Sequence, residues 1–229
     1  MVQNLTHTYR RKEMKPWDEY RLVDTAEEAQ EMQLKLLTKG IEPHMQNSFK
    51  RLNSLMRYAA RCESVKEIGV FQGSSFMAMM LQDSVCHGEA IDINLKKFEQ
   101  YIKPLLLDYC ARTNKTMKAH GVSSLDKSTV SEVDMLHIDS LHKPAHLKQE
   151  LRVHAHSVKK YIAFHDIKQN DWALLKVIEE FCQHNPEWSV VERLTGGGAG
   201  HAVIARNATE EDMGDIQEKP PGPTKRISS

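Results

Sequence analysis

Short strand-like runs alternate with helical stretches through the middle of the sequence, and this alternation restricts what the chain can fold into. Five such runs follow one another with helical stretches between them, near residues 65–70, 88–93, 116–120, 133–138 and 160–165. The order predicts a parallel sheet, because each right-handed crossover returns the chain to begin the next strand in the same direction. We therefore expect a doubly wound, Rossmann-like α/β fold with helices on both faces of the sheet.

The last part of the pattern differs from this repeat. Trp188–Leu194 and His201–Arg206 are both strand-like, and only the glycine-rich segment 195–200 joins them. Because that segment is too short for a crossover helix, the two runs are expected to form an antiparallel hairpin. The prediction is thus a sheet of about seven strands, mostly parallel, with an antiparallel hairpin at its C-terminal end.

The domain organisation follows from the ends of this pattern. We expect one domain over residues 45–206, beginning with a helix whose apolar residues recur every three or four positions: Met45, Phe49, Leu52, Met56 and Ala59. Residues 1–44 are predicted to be an arm followed by a helix, from a capping box at Thr25 to a stop at Gly40. Residues 207–229 are acidic and then rich in proline, and we expect a disordered tail.

Charge and hydropathy exclude several classes of protein. The 31 basic residues balance the 31 acidic ones, so no overall attraction to nucleic acid or to an anionic membrane is expected. The longest apolar run, Phe76–Leu81, is far shorter than the roughly 18 residues of a membrane span. We expect a cytoplasmic protein with a small-molecule partner, no nucleic acid and no membrane; a homo-oligomer remains open.

A glycine-containing loop follows the first strand and contains Gly69, Gly73, Ser74 and Ser75. Glycine lets backbone approach a ligand closely, and a serine can cap the next helix, whose N-terminal amides face that ligand. Asp92 ends the second strand, where doubly wound folds place an acid that binds ribose hydroxyls. The alternatives are a simple tight turn and a surface aspartate.

Two further acids end the fourth and fifth strands. Asp139 and Asp166 should meet at the edge of the sheet where open α/β folds bind ligands. Two carboxylates suggest Mg²⁺ or Mn²⁺, while a nitrogen ligand from His165 would favour Mn, Fe or Co. Alternatively, both acids cap helices and His165 packs against the sheet.

One of the twelve histidines is a candidate general base. His142 lies three residues after Asp139 in a loop that faces the predicted ligand, and imidazole accepts a proton near neutral pH. We expect the others, except His165, to be solvated surface residues. The methionines at 77, 79 and 80 are expected to fill the core.

Together these motifs resemble the class I S-adenosylmethionine (SAM)-dependent methyltransferases, nearest to the group of cephalosporin hydroxylase-like proteins and small-molecule or sugar O-methyltransferases. The resemblance covers about residues 45–206. It rests on Glu67-x-Gly69-x-x-x-Gly73-Ser74-Ser75, on Asp92, on Ile138-Asp139-x-x-His142 and on Phe164-His165-Asp166. The chain departs from these relatives at His165, where they usually have an acid, and at Val158-Lys159-Lys160, where they have a Gly-Gly turn.

The resemblance implies methyl transfer from SAM to a hydroxyl of a small molecule or sugar. It implies a cofactor site formed by Glu67, Gly69, Phe71, Gly73, Ser74, Ser75, Asp92 and Asp139. Asp139, His165 and Asp166 would hold a divalent metal such as Mg²⁺ or Mn²⁺, and Asp139 and His142 would be catalytic. Two alternatives are a non-catalytic accessory protein that binds SAM and a nicotinamide-dependent oxidoreductase, although the latter predicts a full G-x-G-x-x-G motif.

Overall fold

A computed structural model of the protein describes residues 46–196 and 198–213. The predicted arm and helix before residue 45, Met45 itself and the predicted tail after residue 213 lie outside the described residues. Within them, no helix is both long enough and apolar enough to cross a membrane.

Seven strands form a single sheet in the order β3-β2-β1-β4-β5-β7-β6. The strands are β1 Ser64–Ile68, β2 His87–Ile91, β3 Thr116–His120, β4 Val133–Ile138, β5 Val158–His165, β6 Trp188–Leu194 and β7 His201–Arg206. The first five are parallel, and β7 lies antiparallel between β5 and β6. The predicted fold, including the closing hairpin, is confirmed.

Helices cover both faces of the sheet. They are α1 Gln46–Ala59, α2 Ser74–Met80, α3 Lys96–Tyr101, α4 Lys103–Thr113, α5 Pro144–His154, α6 Gln169–His184 and α7 Glu210–Met213. Alternate strand residues enter two separate cores: Tyr161 and Ala163 pack with α1 and α2, whereas Ile162 and Phe164 pack with α5 and α6. This period-two division is what buries both faces of a parallel sheet.

Helix α1, which precedes the first strand in the chain, buries the apolar residues predicted to face the core. Leu52 and Ala59 of α1 are buried, Met56 is half-buried, and Leu55 adds a fully buried contact. The methionines at 77, 79 and 80 are buried in the same core, as expected. The α1 helix therefore packs against the sheet and against α2.

The packed chain continues beyond the predicted domain end at residue 206. Asp212 of α7 is only 5% exposed and accepts a 2.8 Å hydrogen bond from the Tyr161 hydroxyl. Its other contacts include an ion pair with Arg61 at 3.2 Å. Arg61 thus pairs with the acidic helix α7, and the described chain packs against the domain as far as this helix.

Candidate active site

A crevice of about 660 Å³ opens at the carboxyl ends of β1, β2, β4 and β5. It is lined by seven of the residues predicted to form the site: Gly69, Phe71, Asp92, Asp139, His142, His165 and Asp166. Apolar side chains, among them Ile91, Ile93 and Leu141, complete its walls. The structure therefore brings the first part of the predicted cofactor loop, Asp92 and the predicted metal ligands into one cavity.

Gly69 lies at the base of the crevice, where it packs against the backbone at the end of β4. Its φ is +87°, and an added Cβ would overlap the backbone carbonyl of Asp139. The amides of Gly69 and Asp139 extend the sheet ladder by bonding Ile91 and Ile68, both at 2.8 Å. Only glycine allows this close approach, so the residue type is required by packing between loops as well as by any ligand.

Asp92 organises the loop that contains Phe71. Its Oδ2 accepts a 2.9 Å hydrogen bond from the Phe71 amide, and its Oδ1 accepts one from the Asn94 amide at 2.9 Å. Phe71 is 57% exposed, and Lys97 Nζ lies 4.0 Å from the centre of its ring. Each carboxylate oxygen retains capacity for a second hydrogen bond, so Asp92 can hold the loop and still accept from a ligand hydroxyl.

Four residues predicted to contact the cofactor are not among the described residues that line this crevice: Glu67, Gly73, Ser74 and Ser75. Glu67 is fully buried beneath it, and its Oε1 accepts hydrogen bonds from Ser75 Oγ and from His137 Nδ1, the latter at 3.0 Å. Gly73 caps α2 through its backbone, where an added Cβ would lie 2.6 Å from the Phe98 ring. These residues fasten α2 to the sheet.

Two carboxylates and two imidazoles meet at the ends of β4 and β5. His142 Nε2 lies 2.8 Å from Asp166 Oδ2 and 3.2 Å from Asp139 Oδ1. His165 Nδ1 lies 3.0 Å from Asp139 Oδ1 and 3.6 Å from Asp166 Oδ2. On the opposite side of Asp139, Arg51 Nη1 of α1 approaches Oδ2 to 3.1 Å. The cluster is therefore rich in both carboxylate and nitrogen donors.

These contacts change the protonation of the cluster. Burial opposes ionisation of Asp139, but hydrogen bonds from His142 and His165 outweigh it and hold the pKa of that carboxyl below its usual range. Hydrogen bonds to Asp139 and then to Asp166 raise the pKa of His142 to about 9. The imidazole is consequently protonated at neutral pH in the protein alone, which differs from the free base expected from the sequence.

The sequence reasoning missed one side chain that contacts the cluster and the burial of three histidines. Arg51 belongs to a helix predicted only from its apolar stripe, and nothing local indicates that it contacts Asp139. The expectation of solvated histidines is wrong for His137, His154 and His201, each at most 1% exposed. His137 and His201 lie inside predicted strands, and that placement was the available signal.

No model of a known protein family matches the sequence, and no curated protein matches it either. Solved structures do resemble the fold. A structural-genomics protein from Corynebacterium glutamicum is 16% identical, with a TM-score of 0.57 over 87% of this chain and 93% of its own. The O-methyltransferase TomG from Streptomyces achromogenes, solved with SAM, is 15% identical, with a TM-score of 0.51 over 86% and 92%.

A third similar structure is an O-methyltransferase from Bacillus cereus in complex with S-adenosylhomocysteine (SAH). It is 16% identical, with a TM-score of 0.50 over 77% of this chain and 89% of its own. At these identities the similarity establishes a shared fold, the seven-stranded sheet with its antiparallel C-terminal strand.

Proposed function

We propose that the protein is a SAM-dependent methyltransferase that methylates a hydroxyl oxygen of a small molecule or sugar. One observation carries the proposal: Asp92, suited to a ribose, lines the same crevice as Asp139, His142 and Asp166, which are suited to activating a hydroxyl. The similarity to methyltransferases solved with SAM or SAH supports it. The narrower group, nearest to the cephalosporin hydroxylase-like proteins, rests on the sequence motifs.

The crevice fits the cofactor in size and chemistry. Its volume of about 660 Å³ is within the range of about 300–1,000 Å³ usual for ligand sites. An adenosine needs an apolar wall for its base and an acceptor for its ribose hydroxyls, and Ile91, Ile93 and Asp92 supply these. Gly69 and Phe71 lie between that end of the crevice and Asp139, where the methionine portion of SAM would extend.

The donor set also fits a divalent metal. One ligand atom from each of Asp139, His142 and Asp166 lies within 4.8 Å of the others, and His165 is in contact with the same carboxylates. Mixed carboxylate and imidazole donors favour Mn, Fe or Co, while Mg²⁺ prefers oxygen alone. A bound ion would lower the pKa of an acceptor hydroxyl placed against it.

The chain's own residues account for the rest of the reaction. In methyl transfer, the acceptor oxygen bonds to the methyl carbon as the carbon–sulfur bond breaks, leaving SAH, and the hydroxyl proton must be removed. Holding both reactants in one crevice favours this in-line attack. If Asp139, His165 and Asp166 hold the ion, His142 stays outside the metal's ligands. It can then accept the proton, because the carboxylates that otherwise keep its ring protonated are engaged by the ion. His165 and Arg51 orient Asp139.

The two alternatives make different predictions. A dinucleotide oxidoreductase of the doubly wound type has an all-parallel order 3-2-1-4-5-6, whereas here an antiparallel β7 separates β5 from β6. An accessory protein would bind SAM without turnover. The balanced charge supports a small acceptor over nucleic acid. A cytoplasmic location is proposed from the sequence alone.

Mass spectrometry of the purified protein tests the proposal most directly. We expect co-purified SAM or SAH, and methylation of some members of a panel of phenols and sugars in the presence of Mn²⁺. Stabilisation by NADH but not by SAM would favour the oxidoreductase. SAM binding with no product from any acceptor, with or without metal, would favour the accessory role.

A further inference from the structure

A second cavity, of about 650 Å³, lies between helices α5 and α6. It extends to Ala155 before β5, to Trp188 at the start of β6 and to Arg206 at the end of β7. These positions are at the end of the sheet opposite to the crevice, where the parallel strands begin. None of the described residues lines both cavities.

Part of the lining of this second cavity is apolar and buried. Leu151 of α5, Val177 of α6 and Trp188 are all buried there. Phe181 of α6 is half-buried, and the centres of the Phe181 and Trp188 rings lie 6.3 Å apart. The volume is within the range of about 300–1,000 Å³ usual for ligand sites, which are lined mainly by apolar and aromatic side chains with a few polar groups. The second cavity therefore has the size and the apolar surface of a small-molecule site.

Arg206 places a fixed positive charge beside this apolar surface. Its guanidinium carbon lies 4.9 Å from the centre of the Trp188 ring, and its Nη2 donates a 3.1 Å hydrogen bond to the backbone oxygen of Ala155. Both partners are uncharged, and no carboxylate of the described residues forms an ion pair with Arg206. The charge is thus held in place without being neutralised.

Arg152 is a second arginine of the lining without an acidic partner. It lies in the last turn of α5, is exposed, and forms no ion pair within the part of the chain that the structure describes. Lys148, one turn earlier, differs, because its Nζ pairs with Glu180 Oε2 of α6 at 2.7 Å. The two arginines are therefore the cations that a ligand can pair with most directly.

The charges of the lining favour an anion. The ion pair between α5 and α6 is neutral as a unit, so Arg152 and Arg206 stand against one acid, Glu187. His156 and His184 also line the cavity, and each imidazole becomes positive on protonation. The second cavity thus combines an excess of positive charge with an apolar surface.

We propose that the second cavity binds a small amphipathic monoanion, an apolar body that carries one carboxylate or similar group. The body would cover Leu151, Val177 and Phe181, which removes apolar surface from water. The anionic group would face Arg152 and Arg206, since a guanidinium presents paired N–H donors that match a carboxylate. The site is independent of the proposed function, because none of its residues lines the crevice.

Calorimetry of the full chain with naphthoate tests the proposal. We expect one naphthoate bound per chain and weaker binding of naphthylmethanol, which has the same rings without the charge.

Three variants locate the bound naphthoate. Arg152→Gln should weaken naphthoate binding about 5-fold, the upper end for one exposed ion pair. Glu187→Gln should strengthen binding, because the acid that opposes the anion is lost. Arg112→Gln, at an exposed arginine of α4 that lines neither cavity, should leave the affinity unchanged.

No binding of naphthoate, or equal affinity for naphthoate and naphthylmethanol, would overturn the proposal. A basic residue in the last turn of a helix also stabilises that helix through its dipole, so Arg152→Gln must lower the affinity for naphthoate; a loss of stability alone would overturn the ligand role. A crystal structure of the wild-type chain with naphthoate avoids any dependence on a variant. We expect its rings against Phe181, and rings found only in the crevice beside Ile91 would overturn the site.

Discussion

His142 Nε2 lies 2.8 Å from Asp166 Oδ2, and this contact joins the loop after β4 to the loop after β5. Each group changes the protonation of the other. Hydrogen bonds to Asp139 and then to Asp166 keep the imidazole charged by raising its pKa. In return the imidazole, against the opposing effect of burial, keeps the pKa of Asp166 below its usual value. His142, the candidate base, thus stays protonated until its carboxylate partners bind another group, such as a metal ion.

This pair makes the stability of the metal-free protein dependent on pH. The pKa of His142 is about 9 in the folded chain against 6.5 ordinarily, so its stabilisation is complete below pH 6.5 and is lost as pH rises through 9. Urea unfolding in EDTA between pH 6 and 10 should show a decline that His142→Gln lacks. His184→Gln should keep it, and an equal decline in both variants would contradict the assignment.

SAM should stabilise the folded chain through Asp92. A ligand at a hundredfold excess over its Kd stabilises by about 2.7 kcal/mol, and Asp92→Ala should remove most of that gain because the ribose hydroxyls lose their acceptor. Thermal unfolding with and without SAM measures it. Asp108→Ala, at an exposed carboxylate on α4, is the matched control; a shift that survives Asp92→Ala unchanged would place the ribose elsewhere.

A divalent ion should bind where Asp139 and Asp166 converge. Calorimetry with Mn²⁺ should give tighter binding than with Mg²⁺, because the imidazole of His165 accompanies the carboxylates. Asp166→Asn should weaken Mn²⁺ binding, on the order of 10-fold or more, whereas Asp108→Asn should not. Equal Mn²⁺ affinity in the wild-type chain and Asp166→Asn would contradict a metal site in the crevice. The acceptor hydroxyl would then have to be activated without a metal.

His142→Ala should lower the rate of methyl transfer by about 10² to 10⁴ and leave SAM affinity nearly intact, as expected for loss of a general base. Single-turnover rates measured across pH separate a loss in the rate of methyl transfer from a loss in SAM affinity. His146 is unsuitable as a control because it lines the crevice and contacts Ser124 at 2.9 Å. His184→Ala serves instead; a low-pH limb that persists in His142→Ala would assign the proton to another group.

Gly69→Ala should be more damaging than Gly73→Ala. Both glycines have positive φ, at +87° and +99°, which costs another residue about 1–2 kcal/mol. At Gly69 the new Cβ meets the Asp139 backbone, whereas at Gly73 it meets the buried ring of Phe98, a side chain that can shift more than backbone can. Urea unfolding should therefore give a lower free energy of unfolding for Gly69→Ala than for Gly73→Ala. Adding Phe98→Leu should restore part of the lost stability only in the Gly73→Ala protein.

Local patterns in the sequence were sufficient for the fold and for the acids at the sheet edge. Strand and helix periods are local properties, and the six-residue connection before His201 is too short for anything but a hairpin. Asp92, Asp139 and Asp166 follow from the same logic, because the carboxyl ends of parallel strands share one edge. These positions needed no knowledge of which side chains touch.

Tertiary structure alone decided the partners and the charges. Glu67 pairs with His137 70 residues away, and Arg51 pairs with Asp139 88 residues away. Both contacts depend on strand order, register and helix placement, which no local window contains. The pKa of His142 follows from two carboxylates brought together by adjacent strands, since electrostatic interactions depend on distance in space. The sequence by itself therefore determined which residues lie at the edge of the sheet that forms the candidate site, and only the folded chain determined which groups hold a proton there.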